Sequence, residues 1–475
     1  MVSFSEYLSP FSWRYASPEM RQLWSENQKR LTWRKIWVAL AQAQSEFGLV
    51  STEQVAELIA AAETINLQRA LEIEAEIHHD LMAEVRTFAE QCPTAGGIIH
   101  LGATSMDIED NAEALRMRQA LEIILQKLTQ LLSIFADQIR TYAATPIMAF
   151  THLQPAEPST LGYRLSFYAQ DLLADFQDLK RLKNQIKGKG FKGAVGTAAS
   201  YIELLGVENF QRFENRLSEL LGLPFFDITS QTYPRRQDYA VLSSLAAMGS
   251  TLYKLAFDLR ILQSPVIGEW SEPFGSRQVG SSAMPFKRNP IQAEKIDSLA
   301  RLLASLPQVA WNNAAHSLLE RTLDDSANRR SILPEAFLIA DELLTVSNRI
   351  VRNLKINLNA ITQNVNKFAP FAGTERLLMA LVTAGANRQE MHERLRDLAM
   401  QAWQAVQSGR ANPLSEMIAV DPIFQQFLDN ETLQSILKTD EYTGIAEERA
   451  IALANTIVKS IEVSDEVQYT HRRVE

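Results

Sequence analysis

The segment LEIILQKLTQLLSIFADQI, which spans residues 121–139, places apolar side chains at alternating steps of four and three. These side chains are Leu121, Leu125, Leu128, Leu132, Phe135 and Ile139. Residues three and four apart lie on one face of an α-helix, so the segment predicts a helix with an apolar seam. The helical pattern extends over residues 110–145 and ends at Pro146, which predicts one long helix.

Four further stretches carry the same seam, at residues 161–186, 241–259, 290–316 and 334–357. Pro158 lies where a first-turn proline would begin the second helix, which stops at Gly188, and the third helix stops before Pro265. Five long amphipathic helices are typical of a helical bundle rather than of an α/β sandwich. We therefore predict an all-α fold with a central bundle of long helices.

The two ends of the chain carry shorter helical patterns, such as the one at residues 31–47, and after the bundle these patterns are broken by proline and glycine. We predict three domains on this basis. They are an N-terminal helical domain, a central long-helix domain and a C-terminal helical domain, over residues 1–104, 105–357 and 358–475.

The composition argues against several functional classes of protein. Acidic residues exceed basic ones, 56 against 47, which argues against a nucleic-acid-binding surface because such a surface must neutralise phosphates. Cys92 is the one cysteine, so neither a disulfide framework nor a thiolate zinc cluster is expected. The first twenty residues lack the order of a signal peptide, and no apolar run reaches membrane-span length. We expect a soluble cytoplasmic protein with no membrane partner.

Two short motifs match the letters of known binding sites but lack the structural context that those sites need. Residues 188–193 read GKGFKG, which fits the dinucleotide-binding fingerprint, but that fingerprint works only between a strand and a helix. Here it follows a long helical pattern, so we interpret it as a glycine-rich turn. His78 and His79 precede Asp80, yet neighbouring helical side chains point about 100° apart and cannot easily reach one metal ion. We predict no metal.

The segment at residues 281–289, SSAMPFKRN, is the most informative polar stretch. It places two hydroxyl groups, a lysine, an arginine and an asparagine between two long helices, and Pro290 then begins the next helix. Free N–H groups at a helix start favour an anion, and fixed donors stabilise developing negative charge. The segment predicts a carboxylate site, although a polar connecting loop would have the same composition.

Residues 321–330, RTLDDSANRR, hold three arginines around Ser326. Guanidinium groups make paired hydrogen bonds to phosphate oxygens, so the segment suits a phosphate. By itself it also suits a solvated connection with local ion pairs, which is the commoner case.

Two helix starts carry further candidates. His152 stands between a threonine and a leucine before the second long helix, where an imidazole can serve as a proton donor. Thr104 and Ser105 place hydroxyl groups before the first long helix. Capping of that helix by Ser105 or by Asp107 is the structural alternative.

Together these segments resemble the fumarase/aspartase superfamily and, within it, the adenylosuccinate lyase family. The superfamily signature Ser-Ser-x-Met-Pro-x-Lys-x-Asn is present at residues 281–289. The purine-lyase resemblance rests on further matching stretches, at residues 14–20, 102–105, 151–156, 231–233 and 321–330. It covers nearly the whole chain and is weakest after about residue 400.

The resemblance implies a homotetramer whose central helices form a twenty-helix core, with each active site built from three subunits. The implied reaction is a β-elimination that releases fumarate. Its substrates would be adenylosuccinate, giving AMP, and succinylated aminoimidazole carboxamide ribotide (SAICAR, giving AICAR). No cofactor is implied.

The resemblance also assigns roles to single residues. Ser281 matches the general base, which Lys287 helps to activate, His152 matches the general acid, and His79 matches a second histidine that orients or polarises the site. The succinyl carboxylates would be held by Thr104, Ser105, Gln231, Lys287 and Asn289. The phosphate and ribose would be bound by Arg14, Tyr15, Arg321, Ser326 and Arg330, with His78, Asp80 and Lys295 nearby.

His78 and Lys295 depart from the family pattern: close relatives carry arginine at the position of His78, and animal-type relatives carry arginine at the position of Lys295. We expect the same reaction class with altered affinity or substrate ratio.

Three other functions stay open at this point. They are a superfamily lyase for argininosuccinate, aspartate or carboxymuconate derivatives, a catalytically silent structural protein, and a nucleotide-binding regulator. The arginines at residues 321–330 disfavour the first, and the pair of His152 and Ser281 disfavours the other two.

Overall fold

A computed structural model describes residues 5–437 and 442–471, and in this part of the chain we find seventeen α-helices. The helices are α1 Pro18–Leu23, α2 Glu26–Ser45, α3 Thr52–Ala61, α4 Leu67–Ile77, α5 Asp80–Glu90, α6 Ser105–Thr141, α7 Leu161–Gln185, α8 Ala199–Leu205, α9 Val207–Leu221, α10 Arg236–Leu262, α11 Ile291–Ala315, α12 Ser326–Arg352, α13 Leu358–Thr383, α14 Arg388–Gln407, α15 Leu414–Ala419, α16 Asn430–Leu437 and α17 Ala446–His471. The predicted all-α fold is confirmed.

In the described part of the chain the strands are short and form two sheets of two strands each. Strand β1, Pro146–Thr151, pairs antiparallel with β2, Gln154–Thr160, and β3, Trp270–Ser271, pairs antiparallel with β4, Lys355–Ile356. The β1–β2 hairpin was not predicted from the sequence. It provides the turn that carries His152.

The five predicted long helices are α6, α7, α10, α11 and α12. Two of their predicted starts were wrong. Pro158 lies in β2 opposite Met148, and α7 begins at Leu161, where the side-chain oxygen of Thr160 accepts a hydrogen bond from the N–H of Tyr163 at 3.1 Å. Helix α12 begins at Ser326 and continues through Pro334. One missing backbone hydrogen bond does not end this helix because its apolar side is deeply buried on both sides of the proline.

The described chain divides into two compact units. Unit 1 contains Met1–Leu128, Asp175–Ser250 and Ser298–Thr345. Unit 2 contains Thr129–Ala174, Thr251–Asp297 and Val346–Glu475. The three-domain division at residues 104 and 357 stays a prediction.

In unit 1 a large apolar core surrounds Trp37, Phe88 and Phe213. Beside this core, Glu84 of α5 is fully buried and accepts hydrogen bonds from Arg34 at 2.7 Å and from Arg30 at 3.0 Å. Both arginines belong to α2. A buried carboxylate needs such partners, so the triad fixes α5, and with it the start of that helix, against α2.

In unit 2 the β1–β2 hairpin is held at its base. Met148 of β1 packs against Val365 and Ala369 of α13. Arg164 of α7 donates hydrogen bonds to the carbonyl oxygen of Met148 at 2.6 Å and to the buried carboxylate of Glu269 at 2.7 Å. The strands therefore form a fixed support for the turn between them.

Helix α10 is long and apolar enough, by length and composition, to cross a membrane. The core helix of a soluble protein has the same properties. Val241, Leu245 and Met248 of α10 are completely buried inside the protein, as expected of a core helix.

Candidate functional site

The segment between α4 and α5 carries two predicted site residues. His78 ends α4 in the left-handed conformation, with φ 55°, and is exposed. His79 caps α5, where its Nδ1 accepts a hydrogen bond from the N–H of Met82 at 3.4 Å. An accepting Nδ1 places the proton of a neutral ring on Nε2, so His79 presents a donor.

His78 and His79 are therefore linker residues and not helical neighbours, which corrects one premise of the metal argument. Among the residues that the structure describes, no cluster of three or more histidine, cysteine or acidic side chains is placed to bind a metal ion.

Thr104 and Ser105 lie at the start of α6, as predicted. The cap of this helix comes from Asp107, whose carboxylate accepts a hydrogen bond from the N–H of Thr104 at 3.0 Å. Asp107 is buried, and the same carboxylate accepts from the N–H of Gly193 at 3.2 Å and from the hydroxyl of Tyr201 at 3.3 Å. One carboxylate thus anchors the helix start to a distant loop.

That loop is the stretch at residues 188–193. It follows α7 rather than a strand and is a glycine-rich turn, as predicted. Its Lys189 is fully buried and forms an ion pair with Asp107. Burial lowers the pKa of Lys189, and the neighbouring carboxylate of Asp107 only partly offsets this shift. The loop is a structural brace for Thr104 and Ser105.

Four of the predicted substrate-binding residues line one pocket of unit 1, with a volume of about 110 Å³. They are Asp80, Arg321, Ser326 and Arg330. Indole rings, further acidic and basic groups and apolar side chains complete the lining. These residues are Trp24, Glu26, Lys29, Trp33, Met106, Glu109, Glu113, Arg116, Arg329, Leu333 and Pro334.

Electrostatic interactions organise this pocket. Arg330 donates a hydrogen bond to Asp80 at 2.8 Å. Burial by itself would raise the pKa of Asp80, but the charge of Arg330, the N–H of Leu81 and the charge of Lys29 outweigh it and lower that pKa. Asp80 is therefore ionised at neutral pH, and Arg330 remains partly exposed and able to meet a second anion.

The two other arginines of the 321–330 segment differ in role. Arg321 pairs with Asp325 at 2.8 Å and still lines the pocket. Arg329 is held by Asp238 at 2.8 Å and by the hydroxyl of Tyr233 at 2.9 Å. Arg329 is therefore part of a structural ion-pair network, whereas part of the Arg321 side chain faces the pocket.

Three more predicted residues of unit 1 lie on loops outside this lining. Arg14 is exposed and Tyr15 partly buried, in the turn that precedes α1. That turn is tied to α12, since the N–H of Ser17 donates to Asp341 at 2.6 Å. Gln231 lies before α10, and its N–H donates to the carbonyl oxygen of Glu320 at 3.1 Å.

The signature segment forms a closed loop in unit 2. The side chain of Asn289 donates to the carbonyl oxygen of Gly280 at 3.2 Å, so the two ends of the loop meet. A Cβ atom at position 280 would collide with the carbonyl oxygen of Lys287, which explains the glycine there. The Lys287 side chain is exposed.

The hydroxyl of Ser281 lies over a backbone turn. Its oxygen accepts hydrogen bonds from the N–H groups of Met284 at 3.1 Å and of Ala283 at 3.3 Å. Hydrogen bonds donated to an oxygen favour its negatively charged form. This arrangement therefore lowers the free energy of a Ser281 alkoxide.

The sequence predicted that the free N–H groups at the start of α11 would bind an external anion, but these groups already have an acceptor within the protein. Glu272, a buried residue, already accepts hydrogen bonds from Gln292 at 3.0 Å and from Ala293 at 3.1 Å. Its carboxylate supplies the negative charge that the helix start favours. Lys295, one turn further on, is partly buried and has partners within the protein.

His152 stands at the tip of the β1–β2 hairpin. His152 and Leu153 form the two-residue turn, with φ 54° and 61°, and both are exposed. Two positive φ values are typical of the type I′ turn, which normally selects asparagine and glycine. Strained non-glycine residues concentrate at functional sites, so the turn marks His152 as a candidate.

Comparison with known proteins gives a decisive match. A family model described as lyase matches residues 13–303, and one for the adenylosuccinate lyase C-terminus matches residues 370–450. The chain is 40% identical to adenylosuccinate lyase of Saccharomyces cerevisiae, over 94% of this chain and 93% of that protein. The chain belongs to the adenylosuccinate lyase family.

Members of this family occur in distant organisms. The chain is 37% identical to adenylosuccinate lyase of Pyrococcus abyssi, over 92% of this chain and 95% of the relative. Among solved structures it is similar to a fumarate lyase from Mesorhizobium sp. BNC1, with a TM-score of 0.82 and 24% identity, over 95% and 99% of the two chains. That similarity supports the fold.

Sequence reasoning missed three acidic residues in and around the candidate site. Asp107 was seen only as a helix cap, and neither Glu109 in the pocket nor Glu272 at the start of α11 was singled out. Asp107 and Glu109 lie within the first two turns of a long helix, and an acidic residue at that position indicates a functional role only weakly. Glu272 gives none, because its partners are twenty residues away.

The cap at Glu272 leads to a testable stability difference. In E272A the N–H groups of Gln292 and Ala293 lose their acceptor, at a cost of about 1–2 kcal/mol. We expect a lower Tm in a thermal unfolding scan. E272Q keeps an acceptor oxygen and should lose less. An unchanged Tm for E272A would contradict the role of this carboxylate.

Proposed function

We propose that this chain is a carbon–nitrogen lyase that cleaves adenylosuccinate to AMP and fumarate, and SAICAR to AICAR and fumarate. Membership of the adenylosuccinate lyase family supports the assignment. The observation that carries it is the pocket that groups Asp80, Arg321, Ser326 and Arg330, because a nucleotide substrate brings a phosphate that paired guanidinium groups recognise.

The chemistry is a β-elimination. A base removes a proton from the succinyl carbon that is β to the nitrogen. The electron pair moves into the adjacent carboxylate, which becomes an aci-carboxylate, and then forms the carbon–carbon double bond as the carbon–nitrogen bond breaks. An acid protonates the departing nitrogen. Fumarate leaves with the four succinyl carbons, and the nucleotide keeps the nitrogen.

Ser281 is the proposed base. A serine hydroxyl is a weak base at neutral pH and needs an environment that stabilises its alkoxide. The N–H groups of Ala283 and Met284 point at its oxygen and supply part of that stabilisation. The ammonium group of Lys287 in the same loop supplies positive charge for the alkoxide and for the aci-carboxylate.

His152 is the proposed acid. The hairpin presents it at an exposed tip, and its side chain makes no hydrogen bond with the residues that the structure describes. An imidazole that is not held by its own chain is available to a substrate bound elsewhere in the assembly. His79, with its donor on Nε2, is proposed to orient or polarise the substrate beside it.

The remaining residues bind the substrate. Thr104, Ser105, Gln231, Lys287 and Asn289 are proposed to hold the succinyl carboxylates. Arg14, Tyr15, Arg321, Ser326 and Arg330 are proposed to bind the phosphate and the ribose, with His78, Asp80 and Lys295 close to the substrate.

A homotetramer with active sites shared between subunits fits these observations. The long helices expose large apolar side chains, among them Phe167 of α7, Phe257 of α10 and Trp311 of α11. Exposed apolar surface on helices of a soluble enzyme is typical of an interface. We propose a cytoplasmic location for the tetramer. Light scattering of the purified protein measures the oligomeric state.

The activity assay is direct. Purified protein is mixed with adenylosuccinate at neutral pH without added metal, and fumarate and AMP are measured. We expect equal amounts of both products. Argininosuccinate, tested in parallel, should give no fumarate. A folded tetramer that yields no product from adenylosuccinate or SAICAR would contradict the proposal, and fumarate from argininosuccinate would favour another lyase of the superfamily.

A further inference from the structure

A buried ion-pair network of unit 1 contains Arg235, the residue that precedes α10. Its side chain is 2% exposed. Its Nε donates a hydrogen bond to Asp325 at 2.6 Å, and its Nη1 donates one to Asp110 at 2.9 Å. Both carboxylates are buried as well. The guanidinium group of Arg235 therefore joins α6, which contains Asp110, to the residue that precedes α12.

The carboxylate of Asp325 is shared between two arginines. Its Oδ2 accepts the hydrogen bond from Arg235, and its Oδ1 accepts one from Nη1 of Arg321 at 2.8 Å. Arg321 lies between α11 and α12 and lines the pocket. A residue outside a helix lacks the repeating backbone hydrogen bonds that fix helical residues. The pair with Asp325 therefore determines where the Arg321 guanidinium lies.

Stability alone does not explain a buried arginine at position 235. Its third nitrogen, Nη2, is buried and has no hydrogen-bond partner among the residues that the structure describes. A buried charged group with an unpaired N–H costs free energy, and apolar side chains of similar size often replace a buried ion pair without loss of stability. An unsatisfied buried group of this kind calls for a further explanation.

We propose that Arg235 is a positioning residue for Arg321 and acts through the shared carboxylate of Asp325. This inference rests on the proposed function, in which Arg321 helps to bind the phosphate and the ribose of the nucleotide. Because Arg235 occupies Oδ2, Asp325 has only Oδ1 to offer to Arg321. The other N–H groups of the Arg321 guanidinium then stay available to the ligand.

The two groups would pair differently without Arg235. A carboxylate and a guanidinium group favour two parallel hydrogen bonds. Asp325 would then turn and present both oxygens to Arg321, which draws the guanidinium and its charge away from the ligand. Lysine is a poor substitute for Arg235, because one ammonium group cannot hold Asp110 and Asp325 in the fixed directions of a planar fork.

Calorimetry of AMP binding to the full-length protein tests the proposal. In R235K we expect the dissociation constant of AMP to rise about 10-fold, the effect of losing one charge-assisted hydrogen bond. In R321M it should rise by at least as much. The double variant R235K/R321M should bind AMP about as R321M does, since a residue that acts through Arg321 has no effect once Arg321 is gone.

Steady-state kinetics with adenylosuccinate give a second readout. In R235K we expect KM to rise about 10-fold while kcat stays within about 2-fold, because the proposed base and acid, Ser281 and His152, are unchanged. R394K is the matched control. It changes an arginine of α14 that pairs with another buried aspartate, Asp421, and should leave both constants unchanged.

Asp325→Asn distinguishes positioning from simple neutralisation of charge, and it serves as the test if R235K does not fold. If Asp325 only neutralised Arg321, D325N would remove a competitor of the phosphate and bind AMP more tightly. The amide of asparagine has one acceptor oxygen, so it can serve one of the two arginines but not both. If Asp325 and Arg235 position Arg321 together, D325N should bind AMP about 10-fold more weakly.

The outcomes separate two failures. The role of Arg235 would be overturned if R235K bound AMP within about 2-fold of the wild type, if R235K weakened binding equally in the R321M background, or if D325N bound AMP more tightly. Absence of AMP binding by the wild type, or an R321M protein that binds AMP as the wild type does, would instead contradict the proposed function on which the inference rests.

Discussion

Ser281→Ala is expected to lower kcat for adenylosuccinate by about 10²–10⁴-fold, the range typical of a lost general base. The reason is specific to the loop. Two backbone N–H groups point at the Ser281 oxygen and favour its charged form, and alanine removes the oxygen they serve. Steady-state release of fumarate measures kcat, and calorimetry with adenylosuccinate measures whether substrate binding is retained.

The binding measurement decides between a base and a structural residue. If Ser281 removes the proton, S281A binds adenylosuccinate about as tightly as the wild type while turnover is lost. Ser276→Ala removes another hydroxyl from the approach to the same loop and is the control, with expected activity close to that of the wild type. An S281A protein that retains more than about a tenth of wild-type kcat would exclude Ser281 as the base.

His152→Ala is expected to lower kcat by at least about 10²-fold, because the departing nitrogen then leaves without its proton. The exposed hairpin tip suggests a sharper measurement than the loss alone. Added imidazole can reach such a position in solution and should restore part of the activity of H152A. Restoration that increases with imidazole concentration is a chemical signature that a purely structural role would not give.

Two controls test whether the loss of activity in H152A reflects the loss of an acid. His392→Ala changes an exposed histidine of α14 and should leave kcat unchanged, with no response to imidazole. Thermal unfolding of H152A should match the wild type, since the side chain makes no hydrogen bond in the described part of the chain. If H152A keeps wild-type turnover, the acid must be another residue, and His79 would be the next to test.

The long helices were predictable because their signal is local. The apolar seam of residues 121–139 repeats within one stretch of chain, and burial of Leu121, Leu128 and Leu132 follows from that period. The β1–β2 hairpin was not predictable in the same way. Its strands contain Pro146, Pro155 and Pro158, and proline fits the first turn of a helix as well as a short two-stranded edge.

The site shows the same contrast. The motif at residues 281–289 can be recognised from the sequence, but the hydrogen bonds from Ala283 and Met284 to Ser281 exist only in the folded turn. Arg329 and Arg330 are neighbours in sequence, yet helical rotation directs one into a buried network and the other toward Asp80. Partial burial raises the pKa of Glu109, and the charges of Asp80 on α5 and of the neighbouring Asp110 add to the increase. No local sequence pattern encodes that burial.

The hairpin tip also bears on how this enzyme can be made more heat-resistant. Holding a residue other than glycine in the left-handed region costs about 1–2 kcal/mol, and the turn does so at both His152 and Leu153. Selection for stability alone would favour asparagine and glycine there. Laboratory evolution toward thermal tolerance can therefore replace Leu153 by glycine, which relieves the strain, whereas the role proposed for His152 as the acid disfavours a replacement there.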